Sequence, residues 1–177
     1  MFFYINFKFL IFKKIHQIDK HRPVSSAHGD LPNEMALSLS PHVDIWGLNV
    51  YRWDDPSSIF MEWEATNQKP IYLSEAGADS YMSYANKGFD QGENQLAQAI
   101  ANGKIIDATF KHTEIVSGIL LFSFTDGWWK AGNPHQQDVG GWAPNSAGVP
   151  YDSTPNEEYW GMVDVDRNKK ETFKVIK

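Results

Sequence analysis

Residues 70–77 read PIYLSEAG, an apolar strand that runs into a carboxylate and a glycine. Upstream, residues 43–50 (VDIWGLNV) are almost continuously apolar, as expected for a strand that is covered on both faces. Residues 22–27 (RPVSSA) and 119–124 (ILLFSF) indicate two further strands. Helical stretches separate these runs, and this alternation predicts an α/β fold with a parallel sheet.

The segments between the strands carry helix signals. Residues 57–66 have an apolar stripe at helical spacing, with Asp54 or Asp55 as the N-cap residue and Pro56 at the first helical position. Further helices are predicted over residues 33–39 and 93–116.

The N-terminal residues 1–12 (MFFYINFKFLIF) are strongly apolar but fall short of the roughly 18 residues that a membrane-spanning helix needs. No basic segment precedes this run and no small-residue cleavage site follows it, so it is not a convincing signal peptide. We interpret residues 1–20 as an atypical N-terminal segment of a single domain, 1–177, with a helix that ends near Ile18. A signal peptide, a misassigned start codon and an extended strand over 2–12 are the alternatives.

Composition excludes several classes of function. A net charge of −6 and a pI near 5.4 argue against a nucleic-acid partner, because phosphate binding requires a basic face. The chain has no cysteine, and His135 with Asp138 lacks a third ligand, so neither a disulfide nor a metal site is predicted. No glycine-rich phosphate loop follows a strand, so we expect no cofactor.

Residues able to do chemistry or bind a ligand stand at the carboxyl ends of the predicted strands, where ligands bind in α/β sheets. A carboxylate such as Glu75 at the end of a buried strand lowers the stability of the fold unless it is paired or hydrogen-bonded. Such destabilising groups occur mostly at functional sites. A structural salt bridge or a cap is the alternative interpretation of Glu75. The candidate site residues are His28, Asn49, Tyr51, Glu75, Asp126 and Trp128.

Four segments together resemble the retaining glycoside hydrolases of clan A. KPIYLSEAGADSY (69–81) is similar to their strand seven, VDIWGLNVY (43–51) to strand six, and GILLFSFTDGWWK (118–130) to strand eight. NEEYWGMVDVDRNKKETF (156–173) resembles the end of barrel domains related to family two and to glucan-modifying enzymes. The resemblance implies a partial (β/α)8 TIM barrel, its C-terminal half with about strands five to eight.

The resemblance also implies a chemistry, which is retaining double displacement on O-glycosidic bonds of β-linked oligo- or polysaccharides. Glu75 would be the nucleophile, Tyr51 its hydrogen-bond partner, and Trp128 the floor of the sugar subsite, with Asn49, His28 and Asp126 as further substrate-binding residues. A second carboxyl group about 5–5.5 Å from the nucleophile must act as acid and base. Asn33-Glu34 has the family's Asn-Glu pair, but it stands at a predicted helix start, so we expect Glu34 to be a surface residue.

With its acid/base missing, the chain is predicted to be inactive alone, and a non-catalytic carbohydrate-binding fragment or pseudoenzyme is the alternative. A half-barrel has two open strand edges, which predicts association with a missing N-terminal half or with itself. The predicted partner is a carbohydrate, with no membrane partner. The family suggests a secreted or periplasmic location. The loop aromatics Trp53, Trp142 and Tyr151 are further subsite candidates or simply packed loop residues.

Overall fold

The computed structural model of the protein describes residues 2–52, 54–130, 132–139 and 156–176. In chain order its elements are α1 (Phe2–Ile18), β1 (Ser25–Gly29), α2 (Glu34–Ser38), β2 (Ile45–Val50), α3 (Ser57–Thr66), β3 (Ile71–Ala76), β4 (Tyr81–Met82), β5 (Gly92–Glu93), α4 (Gln95–Phe110), β6 (Val116–Leu121) and a closing 3₁₀ helix (Glu171–Val175).

The main sheet has four strands in the order β1-β2-β3-β6, and every neighbouring pair is parallel. The predicted mixed α/β fold with a parallel sheet is therefore confirmed. In the described part of the chain β1 and β6 are the sheet's outer strands. That this sheet is the C-terminal half of a (β/α)8 barrel stays a prediction.

The predicted strands all form, with shifted bounds. The first strand begins at Ser25 and not at residue 22, because its pairing with β2 starts with Ser25 opposite Ile45. The preceding Val24 amide donates to the Asp44 carboxylate at 2.7 Å. The last strand spans Val116–Leu121 and not 119–124, because Val116 already pairs with Ile71 of β3.

The helix α3 has the predicted bounds, but Pro56 is its N-cap residue and not its first helical residue. The Asp55 carboxylate accepts the Ser57 amide at 3.0 Å and so caps the first turn. The helix α4 ends at Phe110 and not at residue 116, since residues 111–115 turn back toward the sheet.

The largest core cluster lies between the sheet and α3. Trp63 and Phe60 of α3 are fully buried together with Leu48 of β2 and Leu73 of β3. Phe12 of α1 joins this cluster, and residues 2–18 form a helix and not an extended strand. Among the described residues no helix is both long and apolar enough for a membrane span.

The C-terminal residues 156–176 return to the sheet's carboxyl end. Val163 makes a parallel bridge with Thr125, just beyond β6, and the 3₁₀ helix packs against α4. A second core cluster forms there from Ala78, Met82, Ala97, Ala101 and Trp160. This return places the side chains of residues 157–160 beside the end of the parallel sheet.

Candidate active site

The candidate nucleophile Glu75 lies inside β3, one residue before its end, whereas the sequence places it just after the strand. Its backbone is in register with Asn49 of β2, after a bulge between Leu48 and Asn49. Tyr51 follows Asn49 by two residues, and its hydroxyl donates a hydrogen bond of 2.9 Å to Glu75 Oε2. The half-buried carboxylate is thus held by a neighbouring strand end.

Tyr51 is suited to remain a donor. Burial raises the pKa of its hydroxyl well above the ordinary value, and the hydrogen bond to Glu75 and the charges of Glu75 and Glu157 add to this effect. Each of these causes disfavours a phenolate, so Tyr51 stays protonated at neutral pH. Its hydroxyl therefore orients the Glu75 carboxylate through a hydrogen bond to Oε2.

After Glu75 the chain leaves the strand through a close backbone contact. A side chain at Gly77 would have its Cβ 2.5 Å from the carbonyl oxygen of Phe122. The next residue is fixed by the buried Asn102 of α4, whose Oδ1 accepts the Ala78 amide at 2.9 Å. The end of β3 is therefore held against Phe122, which directly follows β6, and against α4.

Aromatic rings form a wall beside the tyrosine. The Tyr51 ring meets those of Phe122 and Trp160 edge-on, with centroids 6.5 Å and 5.2 Å away. Phe122 and Trp160 also contact each other, at 5.8 Å between centroids. The sequence interpretation missed Phe122, because it placed this residue inside the strand 119–124, whereas β6 ends at Leu121.

A hollow of about 200 Å³ adjoins this wall. Phe122, Trp160 and Trp129 line it with aromatic surface, and Lys130 and Glu157 line it with charge. Lys130 Nζ lies 4.3 Å from the Phe122 ring centroid and 3.9 Å from Glu157 Oε2. The hollow thus combines aromatic surface with side chains that can donate and accept hydrogen bonds, as sugar hydroxyls and C–H faces require.

Glu158 fixes the loop that carries Trp129 and Lys130. Its side chain is fully buried and accepts the backbone amides of Lys130 and Asp138 at 3.2 Å and 2.9 Å. Its own carbonyl accepts the Gly127 amide at 2.9 Å. Both Glu157 and Glu158 therefore line the hollow, and Glu158 in addition holds the loop at its rim.

Asp126 is not at this site, contrary to the prediction. Its side chain is 2% exposed and pairs with Lys170 Nζ at 2.9 Å and 3.2 Å, while the Gly161 amide donates to Oδ1 at 2.6 Å. Burial raises the pKa of Asp126, and the Lys170 charge opposes this shift. Its partner lies far along the chain, so local sequence could not reveal the ion pair.

His28 lies on the other face of the sheet from the candidate site. His28 is in register with Leu48, the residue that precedes Asn49 in β2. The His28 ring packs edge-on against the core residue Trp46. Because successive side chains of a strand point to opposite faces, His28 and Asn49 face opposite ways. The prediction of His28 as a sugar ligand is therefore corrected.

Asn49 is beside the site, with Oδ1 accepting the Ser74 hydroxyl at 2.7 Å. Trp128 is 40% exposed and packs edge-on against Trp129, and Trp129 rather than Trp128 lines the hollow. Glu34 is exposed at the start of α2, as expected. The loop aromatics Trp53, Trp142 and Tyr151 lie outside the described residues.

No group of three or more potential metal ligands occurs among the residues that the structure describes.

Comparisons with known proteins give a likeness of fold. No family model matches the chain, and no curated protein matches it. Among solved structures, a GH2 β-galacturonidase from Eisenbergiella tayi matches 93% of this chain with 20% identity and a TM-score of 0.61. A β-glucuronidase from an uncultured Clostridium sp. matches 93% at 16% identity with a TM-score of 0.59. A putative β-galactosidase from Bacteroides fragilis matches 96% at 18% identity with a TM-score of 0.62.

The chain has the fold of one segment of these larger enzymes. It spans 28%, 27% and 25% of the three matched chains, respectively. At such low identity the likeness concerns the fold alone, so any activity has to be argued from the residues of this chain.

Proposed function

We propose that this chain is part of a retaining O-glycoside hydrolase and carries its nucleophile, Glu75. The observation that supports this most is the hydrogen bond of 2.9 Å from Tyr51 to Glu75, made at a strand end beside an aromatic wall. A carboxylate held in one orientation by a permanent donor is suited to attack an anomeric carbon and form a glycosyl-enzyme. The fold likeness to glycoside hydrolases agrees with this assignment.

The acid/base group is expected to come from outside this chain. Retention requires a second carboxyl group about 5–5.5 Å from the nucleophile. The Asn33-Glu34 pair does not meet this need, since Glu34 lies exposed at the start of α2 and Asn33 caps that helix. We therefore expect no turnover of ordinary glycosides by the isolated chain.

We further propose that additional strands complete the sheet at β6. On that side an apolar groove of about 400 Å³ runs between α4 and β6. It includes Phe110, Leu120 and Ile176, which are all exposed apolar side chains. A missing N-terminal half would cover this groove, and association of two copies of the chain is the alternative.

A second candidate function is carbohydrate binding without catalysis. The aromatic hollow with Lys130 and Glu157 favours it, because these residues can hold a sugar whether or not Glu75 reacts. The similar structures include a galacturonidase, glucuronidases and a putative galactosidase, so both charged and uncharged sugars are candidate ligands.

A mechanism-based label distinguishes catalysis from binding. A 2-deoxy-2-fluoro-β-glycoside with a dinitrophenyl leaving group needs no acid catalyst, because dinitrophenolate departs as a stable anion with the bonding electrons. A bond forms between a Glu75 oxygen and the anomeric carbon, while the bond from that carbon to the phenolic oxygen breaks. We expect intact-mass spectrometry to show one adduct, mapped to Glu75, in experiments with gluco, galacto and manno reagents.

The control is Glu75→Gln, which keeps the shape of the side chain and should give no adduct. Glu64→Gln, at an exposed position of α3, removes the same charge as Glu75→Gln and should be labelled like the natural chain. A sugar that binds without any adduct would support the binding fragment instead. An adduct on another residue would remove Glu75 as the nucleophile.

A further inference from the structure

Three charged residues line the hollow, namely Lys130, Glu157 and Glu158, and the buried Glu158 carboxylate accepts the backbone amides of Lys130 and Asp138. Lys130 Nζ lies over the Phe122 ring and 3.9 Å from Glu157 Oε2, with the two side chains 31% and 37% exposed. The Lys130 ammonium and the Glu157 carboxylate therefore both border the space next to the aromatic wall, where their opposite charges partly cancel. Glu75 adds a further negative charge beyond Tyr51.

Other cations near these strand ends are already engaged. Arg52, next to Tyr51, pairs with Asp30 and Glu62, each at 2.8 Å. Lys170 is buried against Asp126. The segment 140–155 has the sequence GGWAPNSAGVPYDSTP, which contains no lysine, arginine or histidine.

From this arrangement we infer that the Lys130–Glu157 pair makes the hollow specific for an uncharged sugar ring and excludes a uronate. This inference rests on the proposed function, since it concerns the sugar that would lie beside Glu75. A uronate carboxylate would need a cation of its own, but the cation that lines the hollow, Lys130, is paired with Glu157. The ring carboxylate would also approach Glu157 itself, and two like charges close together oppose binding.

An uncharged ring fits the same groups. Its hydroxyls both donate and accept, so one can accept from Lys130 Nζ while its neighbour donates to Glu157. The apolar C–H face of the ring can lie on the aromatic surfaces of Phe122, Trp129 or Trp160. The proximity of Glu157 to the site agrees with its contribution to the raised pKa of Tyr51.

The test compares sugars that differ only at the C6 group. Binding of methyl β-D-glucopyranoside and methyl β-D-glucuronide to the full chain is measured by ligand-detected NMR titration, with the matching galacto pair measured in parallel. For the gluco or the galacto sugars, or for both, we expect the natural chain to bind the uncharged glycoside with a dissociation constant lower by about tenfold or more. A difference of this size is typical of one close interaction between two charges.

Two variants test the role of the pair itself. Glu157→Gln frees Lys130 and should improve glucuronide or galacturonide binding by about tenfold, while changing uncharged-sugar binding far less. The double variant Glu157→Gln with Lys130→Gln should bind the uronides no better than the natural chain, because the freed cation is then absent. The exposed Glu64→Gln is the matched control for net charge and should bind as the natural chain does.

The results separate this inference from the proposal on which it rests. Preference of the natural chain for the uronides, or no gain on Glu157→Gln, overturns the specificity role while leaving the sugar site in place. Absence of binding to all four glycosides, with circular dichroism showing a folded chain, overturns the sugar site and this inference together.

Discussion

Replacing Lys170 with Met is expected to cost about 3–5 kcal/mol of the free energy of unfolding, the typical effect of breaking a buried ion pair. Lys170 is 1% exposed, and its Nζ donates to both Asp126 oxygens and to the Ser80 hydroxyl, at 2.9, 3.2 and 2.8 Å. Met has a similar length but no donor, so Asp126 would keep its charge in a buried place and lose its main partner.

The loss depends on pH in a direction that follows from Asp126. Burial raises the pKa of this carboxyl and Lys170 opposes the shift, so the variant should have a still higher Asp126 pKa. A folded-state pKa above the unfolded value favours folding at low pH, and that contribution disappears as pH rises through the folded pKa. The deficit of Lys170→Met should therefore shrink as pH falls from 7 toward about 4, the unfolded aspartate value.

Urea unfolding followed by circular dichroism measures the effect. In Lys170→Met with Asp126→Asn the buried charge is gone, so the double variant should be more stable than Lys170→Met alone. The exposed pair Lys174–Glu171 gives the control, since Lys174→Met should change stability by less than about 1 kcal/mol. A loss below about 1 kcal/mol for Lys170→Met, or one that grows at low pH, would refute the assignment of a buried, stabilising pair.

Two other predictions concern the residues around Glu75. Gly77→Ala should lower the unfolding free energy by about 1–3 kcal/mol in urea titrations, because the new Cβ meets the Phe122 carbonyl, whereas Gly118→Ala has no atom within 4 Å and should be tolerated. Stability should fall as pH rises above about 10, the ordinary tyrosine value, because Tyr51 has a raised pKa in the fold and ionises more readily when unfolded. Tyr51→Phe should weaken this alkaline loss in thermal melts, and an unchanged pH profile would contradict the buried donor.

Much of the secondary structure was predictable because its signals are local. The helix over 57–66 follows from one apolar stripe and its cap, and both bounds agree with the structure. The bounds of β1 and β6 were less predictable, because contacts with other strands set them. Val116 joins the sheet by pairing with Ile71, 45 positions away (116 minus 71), and no property of its neighbours reports that pairing.

The candidate site was predictable only in part. Asn49, Tyr51 and Glu75 were found together because parallel strand ends meet at one edge of the sheet. Lys130 and Glu157 were not identified, since the sequence of residues 130–158 has no periodicity from which a side chain's direction can be inferred. Phe122 was not identified because it was placed inside the predicted strand 119–124.

The sequence alone determined that apolar strands alternate with helices and that Glu75 stands near the carboxyl end of one strand. These features depend on residues within a few positions of each other, where backbone geometry fixes the spacing. Only the tertiary structure decided that Asp126 pairs with Lys170 and that His28 faces away from Asn49. Such choices depend on strand register and on segments far apart in the chain, which become neighbours only when the core forms.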